Sequence, residues 1–468
     1  MIVRIIVLQK NILAKLGNGD MKTIRVAAGA GYGGDRIEPA LDIIRRGNAD
    51  YIIFECLAER TIALAQKEKL ENANGGYNPL LNYRMEQVIP LLRKHPIKII
   101  TNMGAANPIA ATQRIYEIAK QSGLGHLKIV AIEGDDVVDM ILDSPDLAIM
   151  ETNGSLSDIR DRIISANTYM GALEISQALQ QGADIVVTGR VADPSLVTGP
   201  LMYEFNRQYD DYDFLGKTIA AGHLLECAGQ VTGGYFADPG KKDVPELWNL
   251  GFPILTFHED GSLILEKLPD TGGLLNTGTV KEQLLYEVQD PSEYRTPDVV
   301  ADFSKMRVEQ IGENKVQVSG ATGKICTGTL KVSVGYTDGW IGTGEISYGG
   351  QNCVARAKLA EEIVTHRLAK QYSFKPYEMR SDLLGVNSLY KNAVSAPDLY
   401  SEVSLRMAIR TETEEQAAVI GREIESLYTN GPSGGGGARR SVTKVISVAS
   451  VLISKNVVCP KLTWFGGK

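Results

Sequence analysis

The sequence is poor in cysteine, and the few it has show no paired spacing. Cys56, Cys227, Cys326, Cys353 and Cys459 are odd in number, scattered and without a CxxC, which argues against a disulfide framework and a structural zinc site. Long uncharged apolar runs are missing too, and nothing approaches the roughly twenty residues that a membrane-crossing helix needs. Within residues 1–20 the apolar run 2–8 is broken by Arg4 and lacks a small-residue cleavage site, so it reads as an extension rather than a secretion signal. Positive charge is not in excess: the formal net charge is −7, which gives no general pull toward nucleic acid or an anionic membrane. A nucleophile elbow, a phosphate-binding P-loop and kinase motifs are also absent. These absences lead to the expectation of a cytoplasmic protein with neither nucleic acid nor membrane as partner.

What is present is enough apolar residue for full cores, 44% hydrophobic against 22% charged, spread over 468 residues. That length predicts more than one domain. Between residues 21 and 200, apolar runs at 24–28, 51–54, 97–101, 127–132 and 183–188 have the length and β-branching of buried parallel strands. Helical patterns at 38–46, 58–70, 83–94, 110–121 and 169–181 separate them. The expected fold class is α/β, with repeated β-α units and a mainly parallel sheet, open in preference to a closed barrel. A mixed β-rich domain and a small C-terminal α/β element are expected to follow. The divisions read from the sequence are 1–20 (extension), 21–250 (β/α ligand-binding core), 251–350 (β-rich, with Asp260-Gly261 as a hairpin signal) and 351–468 (C-terminal α/β).

Both open sheets and barrels bind ligands at the carboxyl ends of their strands. Here those ends read GAGYGGDR (29–36), ECLAER (55–60), TNMGAANP (101–108), EGDD (133–136) and TGRVADPS (188–195). In the first, Gly31, Gly33 and Gly34 would let backbone amides approach an anion, with Asp35 at the end; a tight turn explains the glycines equally well. Asn102, with Glu55, Glu59 and Asp135, would bring amides and carboxylates to the same edge, where they could share protons or hold a divalent metal such as magnesium, or merely cap and solvate. In the last, Arg190 could clamp a carboxylate or phosphate, Asp193 could be a base, a metal ligand or a helix cap, and Ser195 follows on the same loop. GHLLEC (222–227) offers His223, Glu226 and Cys227 on one helical face, an acid/base pair or a hydrogen-bonded structural histidine. PSGGGGARR (432–440) is either a phosphate-binding nest or a flexible loop.

Two longer runs carry a family resemblance. SANTYMGALEISQALQQGADIVVTGRVADPSLVTGPL (165–201) and GHLLECAGQVTGGYF (222–236) resemble the core signature of the acyclic terpene utilisation proteins, and LPDTGGLLNTGTVKEQLLYEV (268–288), TPDVVADFSKMRVEQIG (296–312) and LKVSVGYTDGW (330–340) continue it in order. The resemblance implies a place in the breakdown of acyclic terpenes such as citronellol and geraniol, beside acyl-CoA carboxylases, dehydrogenases and hydratases. Longer family members carry a further small C-terminal domain that in others is a separate protein, so a small partner subunit is expected. The expected activity is lyase- or hydratase-type chemistry on a small or branched carboxylic acid or its CoA thioester, with Asp193, His223 and Glu226 handling protons. Gly31, Gly33, Gly34, Asp35, Asn102, Arg190 and Ser195 would hold the substrate. The alternative is a non-catalytic ligand-binding or scaffold subunit. A homo-oligomer is expected.

Overall fold

Short aliphatic runs, too brief for helices and flanked by turn residues, form the middle of the main sheet. In the computed structural model, which describes residues 22–375, 378–391 and 400–467, β1 (Thr23–Ala30), β2 (Tyr51–Phe54), β3 (Lys98–Thr101), β4 (Ile129–Glu133) and β6 (Ile185–Thr188) pair in parallel in the order β1-β2-β3-β6-β4. Every residue of β2 and β6 is buried, as a parallel sheet covered on both faces requires. β5 (Ile163–Thr168) lies outside this row and leads into Tyr169. The extension expected over residues 1–20 lies outside the described residues.

The sheet grows antiparallel on both sides. β7 (Pro253–His258) pairs with β1, and β8 (Leu263–Lys267), β12 (Lys315–Ser319) and β11 (Arg307–Gly312) continue outward, while β18 (Lys461–Phe465) pairs with β4. The result is a ten-stranded sheet, partly parallel, whose ends β11 and β18 do not pair with each other, so it is no closed barrel. A second sheet of three short strands, β9 (Tyr294–Arg295), β10 (Val300–Asp302) and β13 (Thr322–Lys324), is antiparallel throughout. The described chain is therefore mixed α/β with several sheets. No helix among the described residues is long and apolar enough to cross a membrane.

By internal contacts the chain divides into two units: residues up to 160, 164–334 and from 449 onward in the first, residues 161–163 and 335–448 in the second. All strands named so far, save the first residue of β5, belong to the first unit. The second is built on β15 (Met379–Leu384), β16 (Glu402–Thr411) and those parts of β14 (Thr329–Gly349) and β17 (Gly435–Ser454) that fall within 335–448, neighbours in that order. Along β16, Val403, Leu405, Met407 and Ile409 are buried in alternation and pack with Ile420, Ile424 and Leu427 of the helix Val419–Asn430 and Ala360, Val364 and Leu368 of the helix Cys353–Tyr372. The glycine run read above as a nest or loop is strand from Gly435 onward.

Tyr348, fully buried in this second core, has a hydroxyl without a hydrogen-bond partner. A buried unpaired hydroxyl costs about 1–3 kcal/mol, so Tyr348→Phe should leave stability unchanged or raise it, unlike most aromatic truncations. Urea unfolding of the two proteins checks this.

Candidate active site

The carboxyl ends of the parallel strands converge, within the first unit, on a cavity of about 500 Å³. Its volume is that of a small-molecule site. Glu55, Cys56, Leu57, Glu226 and Leu330 are among the buried residues on its wall, while Tyr32, Met150 and Leu452 are 68%, 57% and 46% exposed and so mark its rim.

The glycine loop owes its position to a close approach. A Cβ on Gly31 would lie 2.2 Å from the backbone carbon of Cys227, so only glycine lets the loop pass the end of the helix Tyr212–Leu225. The Asp35 carboxylate accepts the Gly31 N–H at 2.8 Å, and the fully buried Arg84 donates to the carbonyls of Asp35 (2.9 Å) and Tyr32 (3.4 Å). Gly31 and Gly33 reach the cavity wall; Gly34 and Asp35 do not. Burial raises the Asp35 carboxyl against the pull of the Gly31 N–H and Arg84.

Glu55, just past β2, is held by its neighbours on one oxygen. Asn102 Nδ2 and the Leu57 N–H both donate to Oε1 at 2.9 Å, and Asn102 Oδ1 accepts the Cys56 N–H at 2.7 Å. Burial, reinforced by the charge of Asp193, pushes its carboxyl well above the usual range despite Arg190 and these donors. A proton on Glu55 therefore sits on Oε2, since Oε1 is occupied as an acceptor. Asn102 acts here through Glu55 and does not reach the wall.

The β6 end shows the same economy. A Cβ on Gly189 would lie 2.5 Å from Asp135 Oδ1; the missing side chain lets Asp135 Oδ2 accept the Arg190 N–H and Asn167 Nδ2, both at 2.9 Å. Arg190 is 1% exposed and off the cavity wall. Its guanidinium donates from Nε and Nη2 to the Val191 carbonyl (2.9 and 2.6 Å), from Nη1 to the Leu57 carbonyl (2.5 Å) and from Nη2 to Asp193, and it lies 4.4 Å over the Tyr169 ring. The Tyr169 hydroxyl donates to Glu59 at 2.6 Å, with Lys331 3.4 Å from the same carboxylate. This network holds Glu59 ionised, near a pKa of about 2, although burial works the other way.

Asp193 lines the cavity with 35% of its side chain exposed. Burial lifts its carboxyl to about 7; Arg190 opposes this, while the charges of Glu226 and Glu59 add to it. Glu226 lies on the wall as well, and His223 stands behind it, Nδ1 to Oε1 at 2.8 Å; among the described residues neither His223 Nε2 nor Glu226 Oε2 has a hydrogen-bond partner. Burial disfavours the charged imidazole, but the Glu226 charge and hydrogen bond outweigh it and the His223 pKa is raised. Tyr294 of β9 packs 5.3 Å from the His223 ring and presents to the cavity a hydroxyl that makes no hydrogen bond within the described residues. Ser195 lies elsewhere: its hydroxyl donates to Asp298 at 2.7 Å and anchors the start of the helix Ser195–Glu204.

Of the sequence-derived candidates, the structure brings Gly31, Gly33, Asp193 and Glu226 to the wall, sets Gly34, Asp35, Asn102, Arg190 and His223 behind it, and places Ser195 in the framework. Tyr169, Lys331 and Tyr294 were missed. Tyr294 and Lys331 sit on hairpin segments whose alternating pattern signals a strand and not a site.

No group of three or more His, Cys, Asp or Glu side chains among the described residues is placed to hold one metal ion. The donor set also fits a cation poorly, since burial drives Glu55 and Asp193 toward their protonated forms.

These pKa directions set a pH dependence of stability. The folded-state carboxyls of Asp135 (about 6) and Asp193 (about 7) lie above the ordinary 3.8, because burial favours the neutral acid. Their contribution is complete below pH about 4 and is lost as pH rises through 6 and 7, and the raised His223 changes in the same direction. The urea midpoint should fall between pH 5 and pH 8, and Asp193→Asn should flatten that fall; equal slopes for the two proteins would contradict it.

The fold and cavity define a mixed α/β protein with an acid-lined site at the ends of parallel strands. A family model described as acyclic terpene utilisation family protein AtuA matches residues 24–464, and the chain belongs to that family. No curated protein and no solved structure gives a significant match.

Proposed function

We propose that the cavity performs proton-transfer chemistry of the lyase or hydratase type on a branched carboxylic acid or its CoA thioester. The observation that supports this best is the pairing of Glu55 with Asp193: two carboxyls directed to one cavity, one raised well above its usual range and the other to about 7. Environments that separate the proton affinities of two carboxyls create an acid and a base. In hydration, ionised Asp193 takes a proton from water as the oxygen bonds to the β-carbon of an enoyl group, and the Glu55 proton goes to the α-carbon; elimination is the reverse. Glu226, held by His223, adds the negative charge that helps to raise the Asp193 carboxyl. Arg190 then serves as the partner that keeps Asp193 aimed at the cavity. Family membership favours a substrate from acyclic terpene utilisation.

The test is mass spectrometry of a pool of branched unsaturated and hydroxy acids and their CoA thioesters incubated with the protein. A gain or loss of eighteen mass units on one member is the expected result. An unchanged pool, with and without a small protein encoded beside this one, would remove the enzymatic reading. The exposed rim of Tyr32, Met150 and Leu452 favours a second reading, a binding subunit whose small partner closes the site; it expects turnover with the partner present only.

A further inference from the structure

Within the reading just given, the charges around the cavity restrict the substrate further. We propose that the site binds an uncharged oxygen-bearing end group, a thioester carbonyl or a hydroxyl on a branched chain, in preference to a free carboxylate.

Five carboxyls line the wall, Glu55, Glu59, Asp193, Glu226 and Glu287, against two cations, Lys331 and Arg295. Each cation already stands beside a carboxylate, Lys331 3.4 Å from Glu59 and Arg295 2.8 Å from Glu293. Arg190, the cation behind the wall, spends its donors on Val191, Leu57 and Asp193. A substrate carboxylate would enter a wall on which carboxyls outnumber cations five to two. Like charges brought together in such a site repel and weaken binding.

Neutral donors, in contrast, are at hand. The Tyr294 hydroxyl has no partner among the described residues, and a protonated Glu55 offers the O–H on Oε2. Both are suited to a carbonyl or hydroxyl oxygen, which accepts hydrogen bonds without carrying charge. Leu57, Leu330, Met150 and Leu452 supply the apolar surface for the chain.

Calorimetric titration of the whole protein at pH 8 tests this with three ligands sharing one branched enoyl chain: the N-acetylcysteamine thioester, the primary alcohol and the free acid. The thioester or the alcohol should bind at least about tenfold more tightly than the acid, a difference of about 1.4 kcal/mol. Which of the two binds better separates a carbonyl from a hydroxyl as the natural group. Acid affinity, relative to that of the neutral ligands, should rise as the pH falls below 7 and again in Glu226→Gln. An acid that binds as tightly as the neutral ligands at pH 8 would overturn the inference, as would no binding of either neutral ligand. Tight neutral binding without any turnover would leave it standing and count against the hydratase reading alone; turnover of a preferred free acid would do the opposite.

Discussion

Glu55→Gln lowers kcat at pH 7 by about 100- to 10,000-fold, the range over which a positioned general acid contributes. The amide keeps the oxygen that accepts from Asn102 and Leu57, so the fold and KM should change little. What it removes is the proton on Oε2. Asp193→Asn gives a loss of similar size with a different signature. Asp193 must be ionised to act as base, and the ionised fraction rises with pH through about 7, so wild-type kcat/KM climbs across that value. In Asp193→Asn that acid limb disappears. Rate measurements from pH 5 to 9 distinguish the two variants; an unaltered limb in Asp193→Asn would remove Asp193 from the role of base.

The largest expected effect on stability is at Arg190. Arg190→Leu removes a buried guanidinium and leaves the carbonyls of Leu57 and Val191, and the carboxyl of Asp193, without their donor. Breaking a buried ion pair by deleting one partner costs about 3–5 kcal/mol. The urea midpoint should drop accordingly, and the Asp193 carboxyl, relieved of the cation that lowers it, should titrate above its wild-type value. Removing both partners in Arg190→Leu with Asp193→Leu should recover part of the loss, because no charge is then left unpaired. A double variant as unstable as the sum of the singles would argue against a direct pair.

Where sequence periodicity reported burial it served well. The helix at 38–46 and the strand at 51–54 lie where their apolar spacing places them, because burial of one face or both dictates which residues can stand there. Residues 169–181 show the limit. Their helical pattern is real, but only Leu173–Gln180 is helix, since the Tyr169 N–H is taken by the Lys331 carbonyl and a Cβ on Gly171 would meet Asp298 at 2.2 Å. Both partners lie more than a hundred residues away in sequence, beyond any local signal.

The site was legible to the same extent. Strand ends carrying Glu55 and Asp193 could be marked as a place, because parallel strands gather their loops on one edge. The division of labour within it could not. Arg190 was read as a substrate clamp, and nothing in TGRVADPS discloses that Leu57 and Val191 would accept its donors. The sequence leaves His223 open between an acid/base residue and a hydrogen-bonded structural one; the helix Tyr212–Leu225 ends so that Glu226 takes the wall and His223 stands behind, hydrogen-bonded to it. Tyr294 gave no signal, because a lone tyrosine in a short β-strand has the same local pattern whether or not its hydroxyl meets a cavity.

The account rests on a carboxyl that keeps its proton at neutral pH. Infrared difference spectroscopy of wild type against Glu55→Gln at pH 7, in the carbonyl-stretch region of protonated carboxylic acids, tests that directly. A band present in wild type, absent in the variant and shifted by deuterated solvent is the expected result. A spectrum in which every carboxyl is ionised at pH 7 would contradict the account.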